Sequence, residues 1–148
     1  MVGTGHLNTL CDATCNTGHM APFERFRLLL LCAVAVVFIA MGISHFLPGP
    51  ARTMAAMIPP AMRRAGILRP MHLVWFTGLC EIAGGVGLLI PITRVAAGVA
   101  LVVFLVAVFP ANAFAARHPD KFGRAAIPFR PRLIGQIALV ALVLFVAL

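Results

Sequence analysis

Charge is what this sequence has least of. Of its 148 residues 11% are charged, and only four are acidic against twelve Lys and Arg. Soluble domains carry about 25% charged residues, so a globular surface cannot be covered and a soluble domain is excluded. Flavin and dinucleotide fingerprints are also missing, as is a cysteine pair suited to an iron–sulfur cluster. The chain therefore cannot carry electrons by itself. Its four cysteines make no disulfide framework: Cys32 and Cys80 fall in apolar runs, where a thiol acts as a small hydrophobe. Residues 1–22 hold no Lys or Arg and no apolar core, which excludes a secretory signal peptide.

What the sequence does have is apolar length. Hydrophobic residues make up 61% of the chain and mean hydropathy is +1.02. A span needs about 20 apolar residues, because about 30 Å of hydrocarbon is crossed at 1.5 Å per residue. Runs of that kind predict helices over residues 26–46, 71–90 and 95–116, with a shorter one over 133–148. Short connections join only neighbours, so the expected fold is all-α, a transmembrane antiparallel four-helix bundle over residues 23–148. Residues 1–22 read as a polar, disordered tail. Within it Cys11, Cys15 and His19, with His6 upstream, resemble a soft-metal set. Their spacing matches no standard zinc pattern, and no metal is assigned. Met20 is an alternative start to Met1.

The formal net charge of +8 sits in loops beside hydrophobic spans, with no aromatic-basic reading surface. Membrane lipids are the expected partners, and nucleic acid is not. Arg52, Arg63, Arg64 and Arg69 fall in loop 47–70, whose centre, Ala51 to Arg64, reads as a broken amphipathic interfacial segment around Pro59-Pro60. Arg117, Lys121, Arg124, Arg130 and Arg132 fall in loop 117–132. Arg25, Arg27 and Arg94 lie on the other side. The positive-inside rule then places both loops in the cytoplasm of a bacterial cytoplasmic membrane, with the termini outside.

Glu81 is the exception inside the spans, since the run 71–90 has no Lys or Arg to pair with it. A carboxylate at bilayer depth costs roughly 2.5–3.5 kcal/mol on insertion scales and is a functional residue by default. Antiparallel geometry brings His45, His72, Asn112, Arg132 and Gln136 to the side of the basic loops. Glu81 lies nine residues past His72, about 13–14 Å deeper. One pocket is expected, open toward the basic loops and closed by Glu81, with plain apolar packing in the opposite half. Gly78, Glu81 and Gly85 share a helix stripe with Gly84 at its edge, and small residues let helices approach closely in lipid. Glu81 should therefore face the interior and meet Arg132, Asn112 or Gln136, while Pro110 kinks the third span.

Plainer readings stand beside these. Asn112 and Gln136 read equally as interhelical glue worth about 0.6 kcal/mol apiece. Arg132 reads as a snorkelling anchor, and Glu81 with Arg132 as a structural ion pair. His45 and His72 read as interfacial end residues, or more remotely as a haem pair.

Five segments carry a family resemblance: Gly42-Ile43-Ser44-His45-Phe46, Met57-Ile58-Pro59-Pro60, residues 77–91 around Glu81, Val108-Phe109-Pro110-Ala111-Asn112, and Arg132-Leu133 with Gln136. In this order they resemble the signatures of the DoxX-like family of small four-span membrane proteins. Ser44 stands where the family usually has Asn, and Ile134-Gly135 where it has Pro-Leu. The resemblance implies a membrane bundle with a leaning toward quinone-linked oxidoreductase complexes, and it names no substrate.

Two functions follow. In a quinone-linked redox subunit, Glu81 is the catalytic proton relay. His45 and Asn112 hold carbonyl oxygens, Arg132 stabilises negative charge, and Gln136 completes the pocket. Quinone is then the cofactor-like ligand, none being intrinsic, and a protein partner or homo-oligomer is needed. In a non-catalytic scaffold or assembly factor, the same pocket holds a lipid headgroup or a client helix. A proton-coupled carrier is a weaker third reading.

Overall fold

The computed structural model describes residues 21–60, 69–122 and 127–148. The expectations for the N-terminal tail, for Arg63 and Arg64, and for Arg124 lie outside the described residues. Among the described residues six helices follow one another: α1 (Pro22–Ser44), α2 (Pro48–Met57), α3 (Pro70–Leu89), α4 (Arg94–Ala116), α5 (Pro119–Phe122) and α6 (Phe129–Ala147). No strand occurs among the described residues. Four helices, α1, α3, α4 and α6, are long and apolar enough to cross a membrane. Large apolar side chains such as Leu29, Phe76, Val103 and Ile134 point outward on all four, as lipid rather than water would require. This is an integral membrane helical bundle.

Proline sets most of the helix starts. Pro22, Pro48 and Pro70 each occupy the first turn, where an amide would have no intrahelical partner. The same reasoning corrects the expected short last span. Pro131 falls within the first four residues of α6, whose amides need no partner inside the helix, so α6 reaches back to Phe129 and is 19 residues long. Arg130 and Arg132 therefore belong to a spanning helix and not to a loop. Span one likewise begins at Pro22, ahead of the expected residue 26. In the first connection α2 stops at Met57, and Ile58 turns extended (φ −64°, ψ 123°) before Pro59, as a residue preceding proline must.

The tight turn between α3 and α4 finishes its own hydrogen bonding. Thr93 Oγ1 donates to the Gly87 carbonyl at 2.9 Å and Arg94 Nε to the Leu88 carbonyl at 3.1 Å. Two carbonyls left open at the end of α3 are thereby satisfied.

Packing runs around a ring: α1 on α3, α3 on α4, α4 on α6, and α6 back on α1, with α2 against α3 and α4. Thus α3 and α6 stand diagonally opposite. The main core fills the half of the bundle away from α2, with Leu31, Val34, Ala35, Phe38, Leu88, Leu101, Leu105, Val143, Val146 and Ala147. A smaller cluster of Ala51, Ile58 and Val74 seats α2 on α3.

Glycine decides the α1–α3 spacing. A Cβ on Gly42 would lie 2.6 Å from the Gly78 carbonyl oxygen, and one on Gly85 would lie 2.9 Å from that of Ala35. Backbone meets backbone along this seam, which any larger residue would force apart. Gly84 and Gly98 have different neighbours: a Cβ there would collide with the side chains of Leu101 on α4 and Ala147 on α6.

Candidate functional site

Glu81 sits in the glycine-lined stretch of α3, and its carboxylate meets the end of α1. His45 is the residue that closes α1 (φ −65°, ψ −18°), its amide donating to the Gly42 carbonyl and that of Phe46 to the Ile43 carbonyl. That leaves the Met41 carbonyl without its usual amide partner, as expected in a last helical turn. Two side chains supply what is missing: Ser44 Oγ donates to Met41 O at 2.6 Å, and His45 Nδ1 lies 2.8 Å from the same oxygen. A carbonyl only accepts, so the short contact assigns the proton to Nδ1. Glu81 Oε2 stands 3.4 Å from that same Nδ1. Both side chains are buried, with 8% and 9% of the residue surface left exposed.

The two contacts differ in kind. Nδ1–H is directed to Met41, so Glu81 Oε2 feels the positive edge of the ring without a hydrogen bond from it. Oε2 is in fact a buried oxygen with no hydrogen-bond partner among the described residues. This is a buried acid–base pair with an acceptor position still open.

Asn112, Arg132 and Gln136 come together elsewhere. Arg132 Nη1 donates to Asn112 Oδ1 at 2.8 Å and to the Asn112 carbonyl at 3.3 Å, and Gln136 Nε2 donates to the Leu105 carbonyl at 2.6 Å. All three bonds tie α4 to α6. Helix α4 continues through Pro110.

The single pocket closed by Glu81 therefore resolves into two seams. Glu81 has its ion-pair contact with His45, and none with Arg132 occurs among the described residues. The reason is topological: α3 and α6 are diagonal, while the glycines hold α3 against α1. The two groups still share a depth. Gly84 faces Leu101, so three residues back on α3 and four onward on α4 bring Glu81 level with Leu105, whose carbonyl receives Gln136. His72 is exposed, its ring 5.8 Å from that of Trp75. Gly78, Gly84 and Gly85 all lie at helix contacts, the first and third toward α1 and the second toward α4.

Sequence reasoning did not single out the Met41 and Leu105 carbonyls, because main-chain acceptors leave no mark in residue type. Gly42, the α1 half of the close seam, carried a signal in its three-residue spacing from His45.

The family model described as "Domain of unknown function (DUF8561)" matches residues 34–147, and the chain belongs to that family. No curated protein and no solved structure matches it.

Proposed function

We propose that this member of the DUF8561 family is a small subunit of a quinone-linked redox assembly of the DoxX-like type, with His45 and Glu81 as its proton-exchanging pair. The observation that carries the reading is the Glu81 carboxylate, buried at span depth 3.4 Å from His45 with one oxygen lacking a hydrogen-bond partner. Ionisable groups placed so in a membrane mark proton relays and ligand sites. The ordered run of motifs from Gly42 to Gln136 supports the same reading.

The residues fit a quinone head. Its two carbonyl oxygens need donors, and a protonated Glu81 would supply one through an O–H at Oε2, the oxygen without a partner among the described residues. When bound, a quinone supplies the two-electron acceptor. The chain's own part is to hold a proton on the Glu81–His45 pair and to keep water out through the close α1–α3 packing. Asn112 and Arg132 present further polar groups on the opposite seam, between α4 and α6. Electrons come from a partner subunit, since no flavin or dinucleotide fingerprint is present. The connections from α1 to α3 and from α4 to α6, on the cytoplasmic side of a bacterial membrane, would meet that partner.

A second reading, a non-catalytic scaffold or assembly factor, draws on a different observation. Arg132 and Gln136 direct their donors onto oxygens of α4, Asn112 Oδ1 among them, which is how a purely structural bundle uses such groups.

The test is mild-detergent purification followed by mass spectrometry of the extracted lipid, for wild type beside Glu81→Gln. A stoichiometric quinone in the wild type that is lost in a folded Glu81→Gln variant is the expected result. No quinone in either sample, with both folding equally, would transfer the assignment to the scaffold.

A further inference from the structure

The end of the bundle away from α2 carries a feature that the redox reading does not use. Where the first turns of α1 diverge from the last turns of α6, a cleft of about 450 Å³ opens, lined by Phe23, Arg27, Ala141, Leu144, Phe145 and Leu148. This half was expected to be plain apolar packing. Phe23 and Phe145 meet edge to face across the cleft, centroids 6.3 Å apart, yet remain 59% and 44% exposed. The volume falls within the roughly 300–1,000 Å³ of small-molecule sites.

Arg27 is the one charged side chain in that lining. It is half-buried, and among the described residues no carboxylate lies within ion-pair distance of it, Glu24 included. It stands five residues into α1, about 7.5 Å along the helix from Pro22, at the entry of the span and beside the apolar wall of the cleft. An arginine that only snorkels would lie against open lipid; this one lines a concave apolar site. A ligand complementary to it has one anionic oxygen group and a long apolar tail, and the membrane supplies such a molecule directly.

We infer that the cleft between α1 and α6 is a binding site for an anionic phospholipid, its phosphate on Arg27 and an acyl chain against Phe23, Ala141, Leu144 and Phe145. The site is independent of the His45–Glu81 pair, so Glu81→Gln should leave it unchanged.

The test is native mass spectrometry of the full chain released from micelles containing phosphatidylglycerol and phosphatidylcholine with identical acyl chains. Wild type should retain one phosphatidylglycerol with roughly fivefold preference, the contribution expected of one basic residue at a membrane surface. Arg27→Gln should bring the preference to about one. Arg25→Gln, which removes the same charge outside the cleft, should not, and Ala141→Phe, which fills the cleft, should expel both lipids. Circular dichroism checks that each variant is folded. Equal retention of both lipids by wild type, or an equal loss from either arginine variant, would overturn the proposal. So would a neutral isoprenoid quinone or a second copy of the chain found in the cleft with phosphatidylglycerol excluded.

Discussion

The α1–α3 and α4–α6 seams are both antiparallel helix contacts at the same depth, and they are held by different physics. Between α1 and α3, glycines bring backbones together, and the one acidic side chain at that depth is left with a histidine and an open oxygen. Between α4 and α6, long polar side chains reach across and end on oxygens of the neighbouring helix. The difference teaches where reactivity can reside. A seam whose side chains end on oxygens of the facing helix is glue, while a seam that buries an acid–base pair with an unused acceptor has chemistry to offer.

The sharpest way to break this comparison is to remove the histidine alone. His45→Ala leaves Glu81 buried without its partner, and a loss of about 3–5 kcal/mol is expected, as for other broken buried pairs. Replacing both together, His45→Asn with Glu81→Gln, should recover most of it. Reversible unfolding in mixed micelles measures both, and additive losses would show that the pair is not coupled. Next comes the seam itself. Gly42→Val places side-chain atoms against the Gly78 carbonyl, and an overpacking cost of about 1–3 kcal/mol should appear as a lower Tm. Gln136→Leu tests the other seam: losing its bond to the Leu105 carbonyl should cost about 0.6 kcal/mol, the average for an interhelical hydrogen bond in a membrane. A cost equal to that of His45→Ala would erase the distinction between the seams. The smallest effect belongs to Gly135→Ala. Nothing lies within 4 Å of a Cβ there, so the change should be neutral or stabilising by roughly 0.5–1 kcal/mol, the helical penalty of glycine.

Helix positions were largely legible in the sequence, because lipid demands long apolar runs and satisfied backbones. The ends were less so. Pro131 looked like part of a loop, yet the amide-free first turn of α6 accommodates it, and with it Arg130 and Arg132 moved onto a span. Gly78, Gly84 and Gly85 were legible as contact residues, but their partners were not. Only the packing shows that Gly84 faces Leu101 while its neighbours in the stripe face α1. The Arg27 cleft left no trace in hydropathy, since an apolar wall reads the same whether it is packed or open.

The sequence by itself determined the solvent of this protein, the number of spans, their alternation and the presence of a lone acid at depth. Each follows from local composition, because the cost of charge and of open backbone in hydrocarbon acts residue by residue. Tertiary structure decided that Glu81 meets His45 and that Arg132 meets Asn112. That choice depends on which helices are neighbours and which are diagonal in the ring, a relation among distant segments set by where the glycines let two backbones touch.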